Sequence, residues 1–289
     1  MARSKRRVAR LIEERFPSLS PQLREAARFA LDHPQKIALE SMRSAAAEAR
    51  VHPNSMLRLA RELGFESYDP FRDEFRDWLV DRGPASWTGR AQTLRTDRTG
   101  PAALLDDILA HESRNLRETF GPELHNALLA AKTAVRGAPK VYILGLRSLF
   151  PVAFYTHYVC RMFMAKTVLL TGTGGTFADD LRAVEDGDVL LAFSHRPYAR
   201  DALTAAEFAR ERGAILVAVT DSAVSPIARA SSISVVVSNA TPSFFPSILP
   251  AMAVAQSLGA LLVAESSEDT MAAIARSEVQ LDAFGVYVK

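Results

Sequence analysis

Asp188-Val-Leu-Leu-Ala-Phe-Ser194 and Ala214-Ile-Leu-Val-Ala-Val-Thr-Asp221 are nearly continuous apolar runs, separated by a helical stretch over residues 197–212 that stops at Gly213. A strand that is apolar at every position has both faces covered, and a helix between two such strands makes a parallel β-α-β unit. The same alternation extends outward in both directions. Short apolar strands are expected at residues 140–144, 167–170 and 232–237, with helices near 150–164, 176–183 and 225–230. Two amphipathic helices, about 102–119 and 122–136, precede the first strand, and two more, about 246–264 and 268–284, follow the last. The pattern predicts an α/β domain built on a five-stranded, doubly wound parallel sheet.

Upstream of residue 80 the pattern is different: short helices only. Ser20-Pro21 is a start signal, with Ser at the N-cap and Pro at the first helical position. Leu23, Ala26, Ala27, Ala30 and Leu31 then share one face up to Pro34. Further helices are expected at 37–40, 41–49, 54–63 and 68–79, the last with Phe71, Phe75, Trp78 and Leu79 inward. Residues 81–100 hold Gly, Pro, Ser, Thr, Asp and Arg with almost nothing to bury, the composition of a linker. The expected domains are therefore 1–80, an all-α unit, and 101–289, an α/β unit.

A length of 289 residues suits two domains, and 48% hydrophobic with 24% charged residues is ordinary for a soluble globular protein. Cys160 is the sole cysteine, so no intramolecular disulfide forms and no Cys/His metal site is expected. The start, Met1-Ala-Arg-Ser-Lys-Arg-Arg-Val8, has no apolar core behind its basic residues and does not read as a signal peptide. The longest apolar run, 248–264, is broken by Pro250, Gln256 and Ser257 and reads as a buried helix, so a cytoplasmic location away from membranes is expected. Charge is distributed unevenly. Residues 1–61 carry 13 Lys/Arg against six Asp/Glu, a surplus of +7 in a chain whose net charge is +2. A basic segment on a mildly acidic body points to a polyanion partner, or to a solvated basic helix face.

The segment Ser41-Met-Arg-Ser-Ala-Ala-Ala-Glu-Ala-Arg-Val-His-Pro-Asn-Ser-Met-Leu-Arg-Leu-Ala-Arg-Glu-Leu-Gly-Phe65 has the spacing of a helix-turn-helix. Ala45, Ala46 and Ala47 let a second helix approach, and His52-Pro53 breaks the chain between the two. A recognition helix presents its N-terminal end to the major groove, and here that end carries Asn54, Ser55 and Arg58. Arginine suits guanine and asparagine suits adenine. Arg43, Arg50 and Arg61 are placed for phosphate contacts, which position without reading sequence. A small helical bundle that binds a protein is the alternative.

Residues 16–78, including Arg58-Leu-Ala-Arg-Glu-Leu-Gly-Phe65 followed by Tyr68 and Phe71, resemble the N-terminal domain of RpiR-type bacterial regulators. Residues 104–264 are similar to the sugar-isomerase (SIS) domain those regulators carry, most clearly in 188–194, 205–221 and Ser225-Pro-Ile-Ala228. The resemblance implies a flavodoxin-like strand order, a phosphorylated sugar bound at the strand carboxyl ends, and pairing of two chains through this domain. The expected partners are thus a double-stranded, palindromic DNA operator and a small anionic effector. A homodimer or dimer of dimers is expected, with repression favoured and no cofactor.

In an open α/β sheet the ligand lies at the switch point outside the strand carboxyl ends. For the order 2-1-3-4-5 the loops there are Gly145-Leu-Arg-Ser148 and Ser194-His-Arg-Pro-Tyr198. Candidate effector residues are Arg147, Ser148, Ser194, His195, Arg196, Tyr198 and, beyond the fifth strand, Ser243. Two guanidiniums beside a helix N-terminus suit a phosphate or carboxylate; an interface or an internal salt bridge would use the same arginines. His195 has no visible partner and reads as exposed, while Tyr198 either stacks on a ligand or plugs the loop. The loops depart from the family pattern. Gly-x-Gly-x-Ser becomes Gly145-Leu-Arg-Ser148, one residue shorter or shifted, and Ser-x-Ser-Gly-x-Thr keeps only Ser194, with Arg196, Pro197 and Ala199 in the other places. That implies a different anion from the usual hexose phosphates, or a vestigial site. Thr171-Gly-Thr-Gly-Gly175 lacks the Lys-Ser/Thr of a nucleotide loop and reads as a flexible loop. The rival function is a sugar-phosphate isomerase or lyase with a helical appendage. Isomerisation needs a general base, and His195 is the only candidate in these loops, so an enzyme is not expected.

Overall fold

Five parallel strands, β1 (Val141–Gly145), β2 (Thr167–Leu170), β3 (Val189–Ser194), β4 (Ile215–Thr220) and β5 (Ile233–Val236), pair in the order β2-β1-β3-β4-β5. The computed structural model describes residues 7–82, 86–97 and 99–288. The predicted doubly wound sheet is therefore the observed one. Alternate residues of each strand serve opposite faces. Val141, Ile143, Val189, Leu191, Phe193, Val217, Val219 and Val235 fill one apolar layer, and Tyr142, Leu144, Leu190, Ala192, Leu216 and Ala218 the other.

The chain divides into two compact units between residues 98 and 99. The first holds α1 (Arg7–Arg15), α2 (Pro21–Asp32), α3 (Pro34–Leu39), α4 (Met42–Glu48), α5 (Pro53–Glu62), α6 (Tyr68–Arg82) and α7 (Trp87–Thr96). Ile12, Ile37, Met56, Leu59, Phe71 and Phe75 form its buried interior, with Phe71 and Phe75 edge-to-face at 4.9 Å. The side chains of Trp78 and Leu79, expected inward, lie outside the described residues, as do Arg3, Lys5 and Arg6. The stretch read as a linker contains α7. Ser86 caps it, its Oγ accepting from Gly89 N at 3.0 Å, yet none of its residues is buried.

The second unit continues with α8 (Pro101–Thr119), α9 (Pro122–Gly137), α10 (Phe150–Arg161), α11 (Phe177–Leu181), α12 (Arg200–Glu211), α13 (Pro226–Ala230), α14 (Leu249–Ala264) and α15 (Glu268–Ala283). Helices α9, α10 and α14 contribute to the first apolar layer, and α11, α12 and α13 to the second. Proline opens α8, α9 and α13, where its missing N–H is no loss. Helix α8 is fastened to the β5–α14 loop by buried polar groups. Ser238 Oγ donates to Asn115 Oδ1 (2.8 Å), Asn115 Nδ2 to the Ala240 carbonyl (2.6 Å), and Ser247 Oγ to Glu112 Oε2 (2.7 Å). No single described helix is long and apolar enough to cross a membrane; α14 and α15 qualify by length and composition only as a pair, and are bent 118° from each other.

Candidate functional site

Two places concentrate chemistry. In the first unit, Ser41 caps α4, its Oγ accepting from Ser44 N at 3.2 Å, and Ala45 and Ala46 are wholly buried while Ala47 is exposed. The small-residue contact with α5 therefore uses two of the three alanines. Helix α4 closes with two reverse hydrogen bonds, Arg50 N to Ala47 O (3.1 Å) and Val51 N to Ala46 O (3.0 Å). That pair defines a Schellman cap, and Arg50 occupies its left-handed position at φ 55°. His52 then caps α5, its Nδ1 accepting from Asn54 N at 3.3 Å, a role its place before Pro53 signals in the sequence.

Helix α5 is sharply two-sided. Ser55, Met56, Leu59 and Ala60 are buried, whereas Asn54, Arg58 and Arg61 are exposed, as are Arg43 and Arg50 before it. Ser55 is the correction. At 6% exposure it belongs to the packed face, one turn before Leu59, and does not project toward a groove.

In the second unit the strand order reverses direction between β1 and β3, which is the switch point. Gly145 ends β1 because a Cβ there would lie 2.5 Å from the Leu149 carbonyl oxygen and 2.8 Å from Ala153 Cβ. The chain turns at once into a 3-10 turn, Arg147–Leu149, with Arg147 exposed at φ 56° and Ser148 exposed beside it. Ser194 is the last residue of β3 and is buried. His195 is also buried, at 7% exposure, against the expectation of an exposed side chain. Its Nε2 has no hydrogen-bond partner, and burial holds its pKa below the ordinary value against the opposing charge of Asp221.

Tyr198 resolves toward the plug: its hydroxyl donates to Asp221 Oδ1 at 2.9 Å, and Arg196 lies over its ring at 5.9 Å. Burial first, and then Asp221, push the phenol well above its usual range. Thr220 Oγ1 lies 3.4 Å from the same carboxylate oxygen and 3.0 Å from Ser225 Oγ, which in turn caps α13 by accepting from Ala228 N. Asp221 is not among the expected candidates yet joins these loop residues through Tyr198 and Thr220, and an acid directly after an apolar strand, Val219-Thr-Asp221, is visible in the sequence.

The registers bring these loops level. Gly145 pairs with Phe193, and Phe193 with Val219, so Arg147, His195 and Asp221 each stand two residues beyond one row across β1, β3 and β4. Ser243 lies in the β5–α14 loop, where its N–H is taken by Thr241 Oγ1 at 3.2 Å; no described contact ties it to the other loops. The Gly-rich loop begins beside the Arg147 loop, since β2 pairs with β1, and Gly172, Gly174 and Gly175 all take positive φ. A groove of about 510 Å³, lined by Arg161, Met164, Asp269, Arg276 and Ser277, lies where α10 leads into β2, away from the switch point. Among the described residues no group of three or more His, Cys, Asp or Glu side chains is placed to hold a metal.

Residues 135–261 match the family model described as SIS domain. The sugar isomerase domain of the RpiR transcription factor from Sphaerobacter thermophilus is 26% identical with a TM-score of 0.57, covering 61% of this chain and 98% of that one. The Vibrio vulnificus NanR protein complexed with ManNAc-6P shares the fold at 19% identity and a TM-score of 0.57, over 97% of this chain and all of that one. The bifunctional protein glk of Burkholderia orbicola is 26% identical over 212 residues, 73% of this chain. The chain spans about a third of the length of the curated relatives it matches (32%). Sheet order and matched segment agree: residues 135–261 form a SIS domain, similar to that of the RpiR transcription factor from Sphaerobacter thermophilus.

Proposed function

We propose that the chain is a dimeric, ligand-responsive transcription regulator, in which residues 1–80 bind DNA, 81–100 link, and 101–289 bind the effector and pair two chains. The observation that carries this is the two-sidedness of α5: an apolar face packed inside the first unit and Asn54, Arg58 and Arg61 in solvent, flanked by exposed Arg43 and Arg50. Arg58 reads a base edge with Asn54, and Arg43, Arg50 and Arg61 hold phosphates. A dimer sets two such helices roughly 34–36 Å apart, one turn of DNA, and so selects a palindromic operator.

The effector is an anion at the switch point, held by Arg147 and Arg196 with Ser148, Ser194 and His195 around it; Ser243 closes the loop beyond the fifth strand. NanR, of the same fold, is seen with a phosphorylated amino sugar, which supports a sugar phosphate for this chain as well. Binding biases how the two DNA-binding units are presented, and repression relieved by effector is the expected mode. Selection from random-sequence duplexes by the full chain tests the reading: an enriched inverted repeat supports it, and recovery of unrelated sequences at equal yield refutes it. Asp221 also supports a second reading, catalysis, because it sets a carboxylate where isomerisation needs a base. Turnover of a sugar phosphate in a coupled assay would establish that one.

A further inference from the structure

The row formed by Arg147, His195 and Asp221 carries a further inference, which rests on the effector reading above. The three follow β1, β3 and β4 at the same offset from one paired row, on strands in that spatial order. Adjacent strands lie about 4.8 Å apart, so the backbone rows of β1 and β4, from which the cation and the carboxylate follow, are separated by roughly 10 Å. Arg147 is exposed at its end, free of any described ion pair. At the other end Asp221 repels a second anion; Tyr198 donates to it instead, with Arg196 over the Tyr198 ring. Between them is a buried imidazole whose Nε2 has no partner, a polar atom whose hydrogen bond is left for something not supplied by the protein.

We propose that this row reads a ligand with one anionic group and, two strand spacings away, a hydroxyl or ammonium donor that replaces Tyr198 on Asp221. Arg147 takes the anion, His195 Nε2 meets a group in the middle of the ligand, and Asp221 accepts from the far end. A phosphorylated chain of five or six carbons has that length, whereas inorganic phosphate or a dianionic acid does not satisfy both ends. Tyr198 Oη is then the occupant of the donor position while the site is empty, and its displacement releases Arg196 and the loop after β3. Asp221, which follows β4 and stands outside the anion loop after β3, becomes the specificity-determining residue.

The test is calorimetric titration of the full chain with ribose 5-phosphate, glucose 6-phosphate, glucosamine 6-phosphate, N-acetylmannosamine 6-phosphate and inorganic phosphate. At least one sugar phosphate is expected to bind more tightly than inorganic phosphate. Asp221→Ala should cost that ligand on the order of tenfold or more while leaving phosphate unchanged, and Tyr198→Phe should tighten it roughly 2- to 10-fold by removing the competing hydroxyl. Asp221→Asn separates the two donors, since a hydroxyl ligand retains an acceptor there and an ammonium ligand loses its counter-charge. Thermal melts identify any variant that fails to fold, and Tyr198→Phe and Asp221→Asn, which preserve shape, then decide. Equal binding of all probes overturns the inference, as does a sugar preference indifferent to Asp221, or a Tyr198→Phe chain that binds no better. If phosphate binds and Arg147→Ala abolishes it, the anion site stands even when the inference fails. If no probe binds at all, both fall.

Discussion

Replacing Arg50 by glycine separates the stability of the helix-turn-helix from its affinity for DNA. Four helices end in the same pair of reverse hydrogen bonds. At the left-handed position α5 has Gly64 (φ 89°), α12 has Gly213 (φ 83°) and α15 has Gly285 (φ 60°); only at the α4–α5 turn does a side chain, Arg50 (φ 55°), take that place among these four. A non-glycine residue there costs about 1–2 kcal/mol, and a glycine costs the unfolded chain's extra freedom, about 0.4–1 kcal/mol. Arg50→Gly should therefore leave the first unit as stable as before or more stable by up to about 1.5 kcal/mol. At about 4–8 °C per kcal/mol for a unit of this size, its melting temperature holds or rises, by up to about 6–12 °C. Affinity for the operator should fall at the same time, and the slope of log K against log salt should shrink by about one phosphate contact. Arg50→Ala, which keeps the strain and loses the charge, should match the DNA defect without the gain in stability. Melts by circular dichroism and anisotropy titrations from low to high KCl measure both. A destabilised Arg50→Gly refutes the strain account, and an unchanged salt slope refutes the phosphate contact.

Three other outcomes are expected. Arg58→Ala should cost ~1–3 kcal/mol on the operator and relax selectivity there; equal weakening on every sequence would show a phosphate contact only. Arg147→Ala and Arg196→Ala should leave operator binding intact and abolish the shift produced by a sugar phosphate, and a retained shift would remove these arginines from the site. Burial depresses the His195 pKa in the folded chain, so the unfolded chain binds the extra proton first as pH falls. Stability present above about pH 6.5 is then lost on acidification below it. His195→Gln should flatten that part of the melting-temperature profile between pH 8 and 5, and an unaltered profile would contradict the buried neutral imidazole.

The strands were readable because they are buried on both faces, so no polar residue interrupts the runs: Thr167–Leu170 is found where expected and the other four shift by a residue or so at their ends. The face of α5 was half readable. Spacing puts Ser55 one turn before Leu59, on the packed side, but its small polar side chain at a helix start invites the opposite assignment. Helix α7 was hidden by composition, since a helix that buries nothing leaves no apolar period. The effector row was out of reach for a different reason. Arg147, His195 and Asp221 are scattered over 75 positions, and only strand order and register set them level. The orphaned Nε2 of His195 and the bond from Tyr198 to Asp221 are tertiary facts with no local signature.

Footprinting of the full chain on the DNA upstream of its own coding sequence, at physiological salt, tests the central claim most directly. A protected inverted repeat with half-sites about one helical turn apart, lost in Arg58→Ala, is the predicted result. Diffuse, salt-sensitive protection with no preferred sequence, unchanged by Arg58→Ala, would contradict it.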